Sequence, residues 1–497
     1  MQINCCFYNK IRSLFGKYLN ISKKSSTFAV KIVSISMKQL FGRFWIIGLM
    51  VIFASETSGR DIQQDIPILR LQFDALSPDT FSAAVLTVPN GTDTMVFSAS
   101  VRHRGNTNLK YQKQSYAVKL VNEQGQKMDT SLLGLRSDNY WILDAIASDK
   151  ARMRNRIAFD LWLDFSAKPY YYPLEPKLFN GSNGRFVELY VNDDYRGLYC
   201  LMERVDRKQL KLKKVTDGIV RGVLYKAVNY YLGFFTTKLP EYNNQFLTWG
   251  RFEFKYPEPE DGPTTWEPLY NDMLFAIESE TEEYVTEASN RYDLPVFIDY
   301  YLFTAIMSAR DNMGKNFYLS YYNITSASKM VITPWDMDHS WGRMFTGAIE
   351  DADYPISVWG NMLYERLKKE DPTYISRVNS RYAQLREGAF ANDSLKARFD
   401  AYFELFRRNE ADIREVERWN GIDGIELNFD DEQTYINDWI DRRLAFCDSL
   451  FDYHLPVVTN INQTEKEKTY NHKLLIDGKL YFERNGVLFD ATGKRAN

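Results

Sequence analysis

The stretch Ala309-Arg310-Asp311-Asn312-Met313-Gly314-Lys315-Asn316 follows a segment that is apolar on nearly every side. It places an Asp and an Asn five residues apart, immediately after a helix that the pattern predicts to be buried. A hydrophobic strand pair is expected next, and the stretch Thr333-Pro334-Trp335-Asp336-Met337-Asp338 closes it with two more carboxylates. One continuous segment can therefore supply both a base and hard oxygen ligands for Mg²⁺.

Phosphoryl transfer is the chemistry that fits this order, which protein kinases also use. The reaction needs a group that orients the attacking hydroxyl, cations on the phosphates, and metal ions held by carboxylates. Asp311 is the candidate for the first role, and Asn316 and Asp336 are the candidates for metal ligands. Asp338 would share a side of an extended segment with Asp336, which makes it a further metal candidate. Each carboxylate alone would suit a solvated loop; their conjunction favours a site.

Candidates for nucleotide contacts are less specific. Lys119 ends the strand-like Ala117-Val118-Lys119, similar to the strand that carries the kinase lysine, although alternating strands often hold an exposed lysine. Arg104 opens the polar loop 104–108, whose backbone N–H groups are expected to fold over phosphates. Glu203 ends a predicted hairpin, where a nucleotide hinge would lie.

Three arginines allow two interpretations. Arg152, Arg154 and Arg156 lie close together at the start of a predicted helix. In the first, the three side chains form a solvated basic face. In the second, one of them, with Arg154 as the candidate, contacts a phosphate or pairs with Asp336.

Composition excludes several classes of protein. The chain has 497 residues and a net charge of −3, so no overall field attracts nucleic acid or an anionic membrane. Aromatic residues make up 15%, which indicates a folded body rather than disorder. The 4 Cys and 4 His do not cluster, which argues against a structural zinc site. A disulfide between Cys200 and Cys447 is open to the chain in an oxidising compartment.

The predicted fold class is α+β, with a β-rich N-lobe over about 65–256 and a helical C-lobe over about 264–456. Hairpins are predicted over 81–102 and 185–202, and the breaker cluster 257–263 is the expected lobe junction. Helices are predicted over 150–165, 266–277, 294–309, 361–370, 374–388, 395–418 and 435–453.

The two ends differ from this body. The basic region from Met37 and the apolar run 44–54 are typical of an export signal, so 1–59 is predicted to be an upstream extension plus signal peptide. An uncleaved anchor is the alternative. Residues 457–497 are predicted to be a linker and a small β tail, because short strands alternate with Asp-Gly and Asn-Gly turns. The tail resembles the sorting tails of type IX-secreted proteins, or is a plain terminal hairpin.

From about residue 80 to 345 the chain resembles the spore-coat protein H (CotH) kinase family of atypical secreted protein kinases. The motifs that carry the resemblance are His103-Arg104-Gly105-Asn106-Thr107, Lys113-Gln114-Ser115-Tyr116-Ala117-Val118-Lys119-Leu120, Leu132-Leu133-Gly134-Leu135 with Trp141, Asp149-Lys150 through Met153-Arg154-Asn155, Val187-Glu188-Leu189-Tyr190-Val191-Asn192, Tyr195-Arg196-Gly197-Leu198-Tyr199, Phe297-Ile298-Asp299-Tyr300 and Trp335-Asp336-Met337-Asp338.

The resemblance implies a two-lobed atypical protein-kinase-like fold that uses ATP with Mg²⁺ or Mn²⁺. It implies that Asp311 is the catalytic Asp, Asp336 the metal Asp and Lys119 a phosphate contact. Family substrates are Ser/Thr residues of surface or coat proteins, but the acceptor itself does not carry over to this chain.

We therefore expect an exported Ser/Thr protein kinase, monomeric, acting in the periplasm, at the cell surface or in the medium. Its partners would be extracytoplasmic proteins, with no nucleic acid and no membrane span after signal cleavage. One alternative is a catalytically silent surface module that binds a protein or glycan, since ATP is scarce outside the cytoplasm. Another is a metal-dependent hydrolase built on Asp311, Asp336 and Asp338.

Overall fold

The structure, a computed structural model, describes residues 63–76, 80–105, 107–344, 347–355 and 362–454, together with three strands near the end of the chain. The expected export signal and most of the linker before the tail lie outside the described residues. Within those limits, no helix combines the length and apolar character needed to cross a membrane.

The first half of the described chain is a closed seven-stranded barrel with the strand order β1-β2-β3-β4-β7-β9-β8. Its strands are β1 (Ile68–Gln72), β2 (Ser82–Asn90), β3 (Asp93–Arg104), β4 (Ser115–Leu120), β7 (Tyr140–Asp144), β8 (Gly184–Val191) and β9 (Asp194–Met202), with the short pair β5 (Thr130–Ser131) and β6 (Ser137–Asp138) between β4 and β7. Both predicted hairpins are confirmed as β2–β3 and β8–β9. Strand β1 closes the barrel because it pairs with β2 on one side and β8 on the other.

A second, five-stranded sheet has the order β11-β12-β10-β13-β14. Its strands are β10 (Val223–Ala227), β11 (Thr248–Trp249), β12 (Phe252–Tyr256), β13 (Phe317–Tyr321) and β14 (Val331–Pro334). Because β10 pairs with both β12 and β13, strands from either side of the 257–263 breaker share this sheet. The sheet therefore joins the two predicted lobes, and the lobe limits themselves remain predictions.

Eleven helices in the described residues complete an α+β fold. They are α1 (Arg154–Phe165), α2 (Arg207–Leu210), α3 (Glu267–Glu278), α4 (Thr281–Arg291), α5 (Leu294–Met307), α6 (Asp311–Gly314), α7 (Met362–Glu370), α8 (Tyr374–Arg386), α9 (Asn392–Arg408), α10 (Ala411–Trp419) and α11 (Phe429–Leu450). The single helix predicted over 395–418 is wrong: α9 and α10 are separated at Glu410, whose φ of 54° is left-handed. The predicted strands of the tail are confirmed as β15 (His472–Ile476), β16 (Lys479–Arg484) and β17 (Val487–Asp490).

Apolar side chains form two cores. One fills the barrel, where Val118 and Leu143 point inward. The other is larger and includes Ile142 from the outer barrel face, the second sheet and the helices. Strand alternation therefore turns one face of β4 and β7 toward the rest of the molecule, and that face carries the polar side chains of the site. Cys200 and Cys447 do not form a disulfide with each other: both are free thiols, and both are buried.

The interpretation of the three arginines as a solvated basic face is wrong. Arg152, Arg154 and Arg156 are all at most 2% exposed, so they do not form a solvated face. Arg152 pairs with Glu415, and Arg156 pairs with Asp160. A buried guanidinium requires such partners because desolvating an unpaired charge is costly.

Helix α10 is fastened to the barrel through Glu415, which is fully buried. Its carboxylate lies 2.6 Å from Lys113 Nζ and 2.7 Å from Arg152 Nε, and it accepts a bond of 2.7 Å from the backbone N–H of Leu198. The three donors come from residues far away in sequence. Glu415 is thus the shared counter-charge of Arg152 and Lys113, and burial lowers the pKa of Lys113 to about 7.

Replacing Glu415 with Gln is expected to lower the free energy of unfolding by about 3–5 kcal/mol, because the buried guanidinium of Arg152 would lose its counter-charge. Urea denaturation measures the change, and Glu417→Gln, which alters an exposed residue of the same helix, serves as the control. A loss below about 1 kcal/mol, the range of exposed pairs, would contradict this account.

Candidate active site

Asp311 stands at the end of the buried helix α5. Ser308 ends α5 in the left-handed region with a φ of 52°, and the short α6 begins at Asp311. The Asp311 Oδ2 atom lies 2.9 Å from Lys315 Nζ and 3.8 Å from His339 Nδ1. Burial alone would raise the pKa of Asp311, but His339 and Lys315 hold it below its ordinary value. This carboxylate therefore stays ionised at neutral pH and can orient a hydroxyl group.

Asn312 connects the loop of Asp311 to the strand pair behind it. Its side-chain Nδ2 donates to the carbonyl of Asn316 at 3.1 Å and to the carbonyl of Trp335 at 2.7 Å. The backbone N–H of Trp335 also donates to the Asn316 carbonyl at 3.0 Å. These bonds bring Asn316 beside Trp335 and Asp336. Sequence reasoning missed Asn312, whose only signal was a polar residue inside an otherwise buried turn.

Two of the three residues predicted to bind metal, Asn316 and Asp336, have the same unusual backbone conformation. Asn316 has a φ of 59° and Asp336 a φ of 56°, both left-handed. Non-glycine residues in this region carry strain and often occur at functional sites. The structure brings Asn316 and Asp336 together at the end of the β13–β14 pair, as the sequence predicted.

Asp336 and Asp338 do not lie in an extended strand, so the alternation that was expected to place them on one side does not apply to them. Strand β14 ends at Pro334, and the left-handed Asp336 breaks the period of two. Asp336 is exposed, whereas Asp338 is partly buried, accepts a bond of 3.1 Å from Ser148 Oγ and lies 3.5 Å from His339 Nε2. Burial, with a further contribution from Asp336, raises the pKa of Asp338 to about 7.

His339 links the two carboxylates on either side of it. Burial alone would lower the pKa of His339, but Asp338, Asp311 and Asp336 raise it to about 9. His339 is therefore an imidazolium at neutral pH and adds positive charge between Asp311 and Asp338. The sequence carried no separate signal for it beyond its place after the Asp-x-Asp.

Asp144, which the sequence analysis missed, adds a third carboxylate near Asp336 and Asp338. It ends β7 on the outer barrel face and accepts bonds from Ser115 Oγ at 3.3 Å and Asn155 Nδ2 at 3.2 Å. Burial raises the pKa of Asp144, and Asp336 raises it further. Burial is thus the main cause of both raised pKa values, and the charge of Asp336 adds to each.

Two cations face these carboxylates, and one was not predicted. The guanidinium carbon of Arg104 lies 5.8 Å from the centre of the Trp335 ring, and Lys226 Nζ lies at the same distance from that ring. Burial lowers the pKa of Lys226 to about 8, while Asp336 opposes that shift. Arg104, a predicted nucleotide contact, therefore lies beside Trp335, and so does Lys226, which the sequence analysis missed.

Lys119 lies elsewhere on the same barrel face. Its ammonium stands 4.3 Å from the Phe81 ring and 5.2 Å from the Tyr140 ring. Along β4 it is four residues from Ser115, about 13 Å at the usual strand rise. Among the described residues its ammonium contacts these two rings and not the carboxylates, so the structure does not bring Lys119 into the cluster.

Glu203 and Arg154 also lie outside the carboxylate cluster. Glu203 follows β9 and accepts a bond of 2.8 Å from the Arg136 N–H and one of 3.0 Å from Gln209 Nε2. Arg154 is fully buried and lies 2.6 Å from both Asp149 Oδ1 and Glu432 Oε1. Both side chains are engaged by neighbouring protein groups and serve to position the local backbone.

Within the described part of the chain, no three His, Cys, Asp or Glu side chains are arranged to hold a metal ion on their own. Mg²⁺ usually binds one or two protein carboxylates together with waters and substrate phosphates. The oxygens of Asp336 and Asn316 are hard donors, and Asp144 and Asp338 leave negative charge beside them. The residues present therefore fit a divalent ion that arrives with a phosphate group.

Comparison with known proteins identifies the family of the chain. The profile of the family described as CotH kinase protein matches residues 101–447, which include the barrel strands after β2, the cluster and most of the helices. The chain is also 23% identical over 312 residues to inner spore coat protein H of Bacillus subtilis (strain 168), covering 62% of this chain and 76% of that protein. The match to the family profile extends beyond residue 345, where the sequence resemblance was expected to stop. The chain belongs to the CotH kinase protein family.

Proposed function

We propose that this protein is an exported ATP-dependent kinase that transfers the γ-phosphate to Ser or Thr residues of surface or secreted proteins. The observation that supports it best is that Arg104 and Lys226 lie beside Trp335 and the adjoining Asp336, with Asn312 connecting the loop of Asp311 to the same place. In this proposal the barrel and the helical part are the two lobes of a kinase-like fold. The nucleotide would bind between Arg104 at the end of β3 and Lys226 on β10.

Each of these side chains has a separate task. ATP bound with Mg²⁺ or Mn²⁺ supplies the γ-phosphoryl group together with metal charge that offsets the phosphates. Asn316 and Asp336 hold the metal through their oxygens. Arg104 and Lys226 would bind phosphate oxygens, and Lys226 carries its charge at neutral pH because its pKa of about 8 lies above 7.

Asp311 positions the acceptor hydroxyl in this mechanism. Because His339 and Lys315 lower its pKa, Asp311 is a weak base and acts mainly by orienting the hydroxyl toward the γ-phosphorus. Lys315 and His339 fix the carboxylate in place. A loose transition state needs little base strength, so a well-placed ionised carboxylate suffices.

Replacing Lys226 with Met is expected to lower kcat/KM for ATP about 100-fold, because a phosphate-binding cation in a partly desolvated cleft is lost. The matched variant Lys119→Met should change kcat/KM by less than about threefold, since Lys119 stacks on aromatic rings away from the cluster. Steady-state kinetics with Mn²⁺ and ATP measure both. A large loss in the Lys119 variant, with Lys226→Met near wild type, would reverse the assignment.

Incubation with γ-labelled ATP and Mn²⁺ tests the function against its alternatives. Label on Ser or Thr of an acceptor protein or of the chain itself supports the kinase. Tight nucleotide or glycan binding without transfer supports a silent surface module. Release of labelled phosphate alone, lost on mutating Asp311 or Asp336, supports a hydrolase.

A further inference from the structure

The carboxylate of Asp336, the proposed metal ligand, has no side-chain partner of its own. Within the described residues it makes neither a hydrogen bond nor an ion pair, and it is exposed between Trp335 and Met337, which are 4% and 0% exposed. The φ of 56° at Asp336 is left-handed, a conformation that a non-glycine residue keeps only where the surrounding structure holds it. The position of this carboxylate is therefore set through the backbone on either side of Asp336.

Two buried asparagines hold the two peptide groups that flank Asp336. On the preceding side, Asn312 Nδ2 donates to the Trp335 carbonyl at 2.7 Å. On the following side, the backbone N–H of Met337 donates to Asn155 Oδ1 at 2.9 Å. Asn312 is fully buried and Asn155 is 5% exposed, so both bonds lie away from solvent. Rotation of the chain at Asp336 is thus limited from both sides.

Asn155 also connects this segment to the barrel. Its Nδ2 donates to Asp144 Oδ2 at 3.2 Å while its Oδ1 accepts from Met337. An amide suits this place because it accepts from an N–H group and donates to a carboxylate at the same time. Asp144 ends β7, and Asn155 lies in the first turn of α1. One side chain therefore joins the barrel, α1 and the segment that carries Asp336.

The residue before Asn155 fastens the same segment farther along the chain. Arg154 Nε donates to the Ser340 carbonyl at 3.1 Å, and Ser340 Oγ donates to the Met337 carbonyl at 2.6 Å. Two consecutive residues in the first turn of α1 thus contact the backbone after Asp336. Helix α1 is therefore a fixed support for this part of the site.

We propose that Asn155 and Asn312 are positioning residues for the metal, acting through the backbone of Asp336. This inference rests on the proposed function, in which Asp336 is a metal ligand. Loss of either bond would let a flanking peptide group turn, and the carboxylate would leave the direction in which it meets the ion. Replacing a group that orients a metal ligand usually lowers metal affinity about 10–100-fold.

An exchange of two side chains separates positioning from a general loss of packing. Asn155→Asp alone removes the donor to Asp144 and places two carboxylates side by side. When it is combined with Asp144→Asn, the amide at position 144 donates to the carboxylate at position 155, which still accepts from the Met337 N–H. The number of carboxylates then equals that of the wild type.

The control for lost stability is Asn192→Leu. Asn192 also bonds to the backbone through both ends of its amide, since it accepts from the N–H of Phe73 at 2.9 Å and donates to its carbonyl at 2.8 Å. It lies at the turn between β8 and β9. Its replacement removes the same kind of contact outside the proposed site.

The experiment measures Mn²⁺ binding by electron paramagnetic resonance, with a non-hydrolysable ATP analogue present, and amide hydrogen exchange over 335–338 without metal. Asn155→Leu and Asn312→Leu are expected to raise the Kd for Mn²⁺ about 10–100-fold and to speed exchange over 335–338. Asn192→Leu should do neither. The exchange variant should bind Mn²⁺ at least about fivefold more tightly than Asn155→Asp alone. This pair carries the test if Asn155→Leu does not fold.

Unchanged Mn²⁺ affinity in Asn155→Leu, when the wild type binds Mn²⁺ and transfers phosphate, overturns the inference and leaves the kinase function intact. An equal loss in Asn192→Leu also overturns it, because lost stability would then explain the effect. Mn²⁺ binding that Asn155→Leu weakens, in a protein that transfers no phosphate, keeps the inference and refutes the kinase function. A wild-type chain that binds no Mn²⁺ with the analogue overturns the inference.

Discussion

Replacing Asp311 with Asn is expected to slow phosphate transfer to protein about 10²–10⁴-fold, the usual contribution of a positioned acid–base group. Asn keeps the shape but loses the ionised oxygen that Lys315 and His339 hold in place. The affinity for Mn²⁺ and ATP should change by less than about threefold, because Asp311 lies outside the phosphate contacts. Single-turnover transfer of labelled phosphate measures the rate, and equilibrium binding measures the affinity.

Asp353→Asn is the matched control, since Asp353 is an exposed carboxylate not far along the chain. It should leave both the rate and the affinity unchanged. If Asp311→Asn transferred phosphate at the wild-type rate, Asp311 would have no part in orienting the acceptor. If it lost nucleotide binding instead, Asp311 would belong to the nucleotide site.

Asp336→Asn is expected to reduce transfer at least about 10³-fold, because the metal contributes several kcal/mol to charge stabilisation. Asp336 is exposed and left-handed, with Lys226 among the groups that feel its charge. The concentration of Mn²⁺ that gives half-maximal activity should rise at the same time. Titration of Mn²⁺ at saturating ATP measures this.

Asp338→Asn should have a smaller effect, about tenfold, because Asp338 already accepts a bond from Ser148 and its pKa is raised to about 7. The pair of variants therefore identifies the primary metal ligand. A larger loss in Asp338→Asn than in Asp336→Asn, with a larger shift of the Mn²⁺ requirement, would exchange the two roles.

The parts of the site that the sequence predicted are those fixed by local order. Asp311, Asn316 and Asp336 lie within one helix–turn–strand-pair segment, so short-range chain geometry brings them together. Hairpins and most helices were likewise accessible from periodicity and turn residues. Periodicity and turn residues therefore predict which residues meet within one hairpin or one helix–turn segment.

Lys226 was missed because its signal is the same as that of Lys119. Both lie in short strands where apolar residues surround one lysine. Which of them faces Asp336 is decided by sheet order: β10 lies beside β13, whose partner β14 leads into Asp336. Nothing within either strand encodes that order.

The interpretation of the arginines around α1 as a solvated face was wrong for a similar reason. Their partners include Glu415 and Glu432, which lie in the last helices of the described body. A sequence shows a cluster of like charges but not the distant carboxylates that neutralise them. Asp144 is the converse case, a single acidic residue that becomes notable only beside Asp336.

Crystals grown with Mn²⁺ and a non-hydrolysable ATP analogue provide the most direct test of the proposed cleft. The anomalous signal of manganese should place the metal about 2.2 Å from the Asp336 carboxylate, the distance usual for hard oxygen ligands of a small divalent ion. A phosphate oxygen should lie within hydrogen-bonding distance of Lys226 Nζ, about 2.7–3.2 Å. Metal and triphosphate bound away from Asp336 and Lys226, with Asp311 outside reach of the terminal phosphate, would contradict the account.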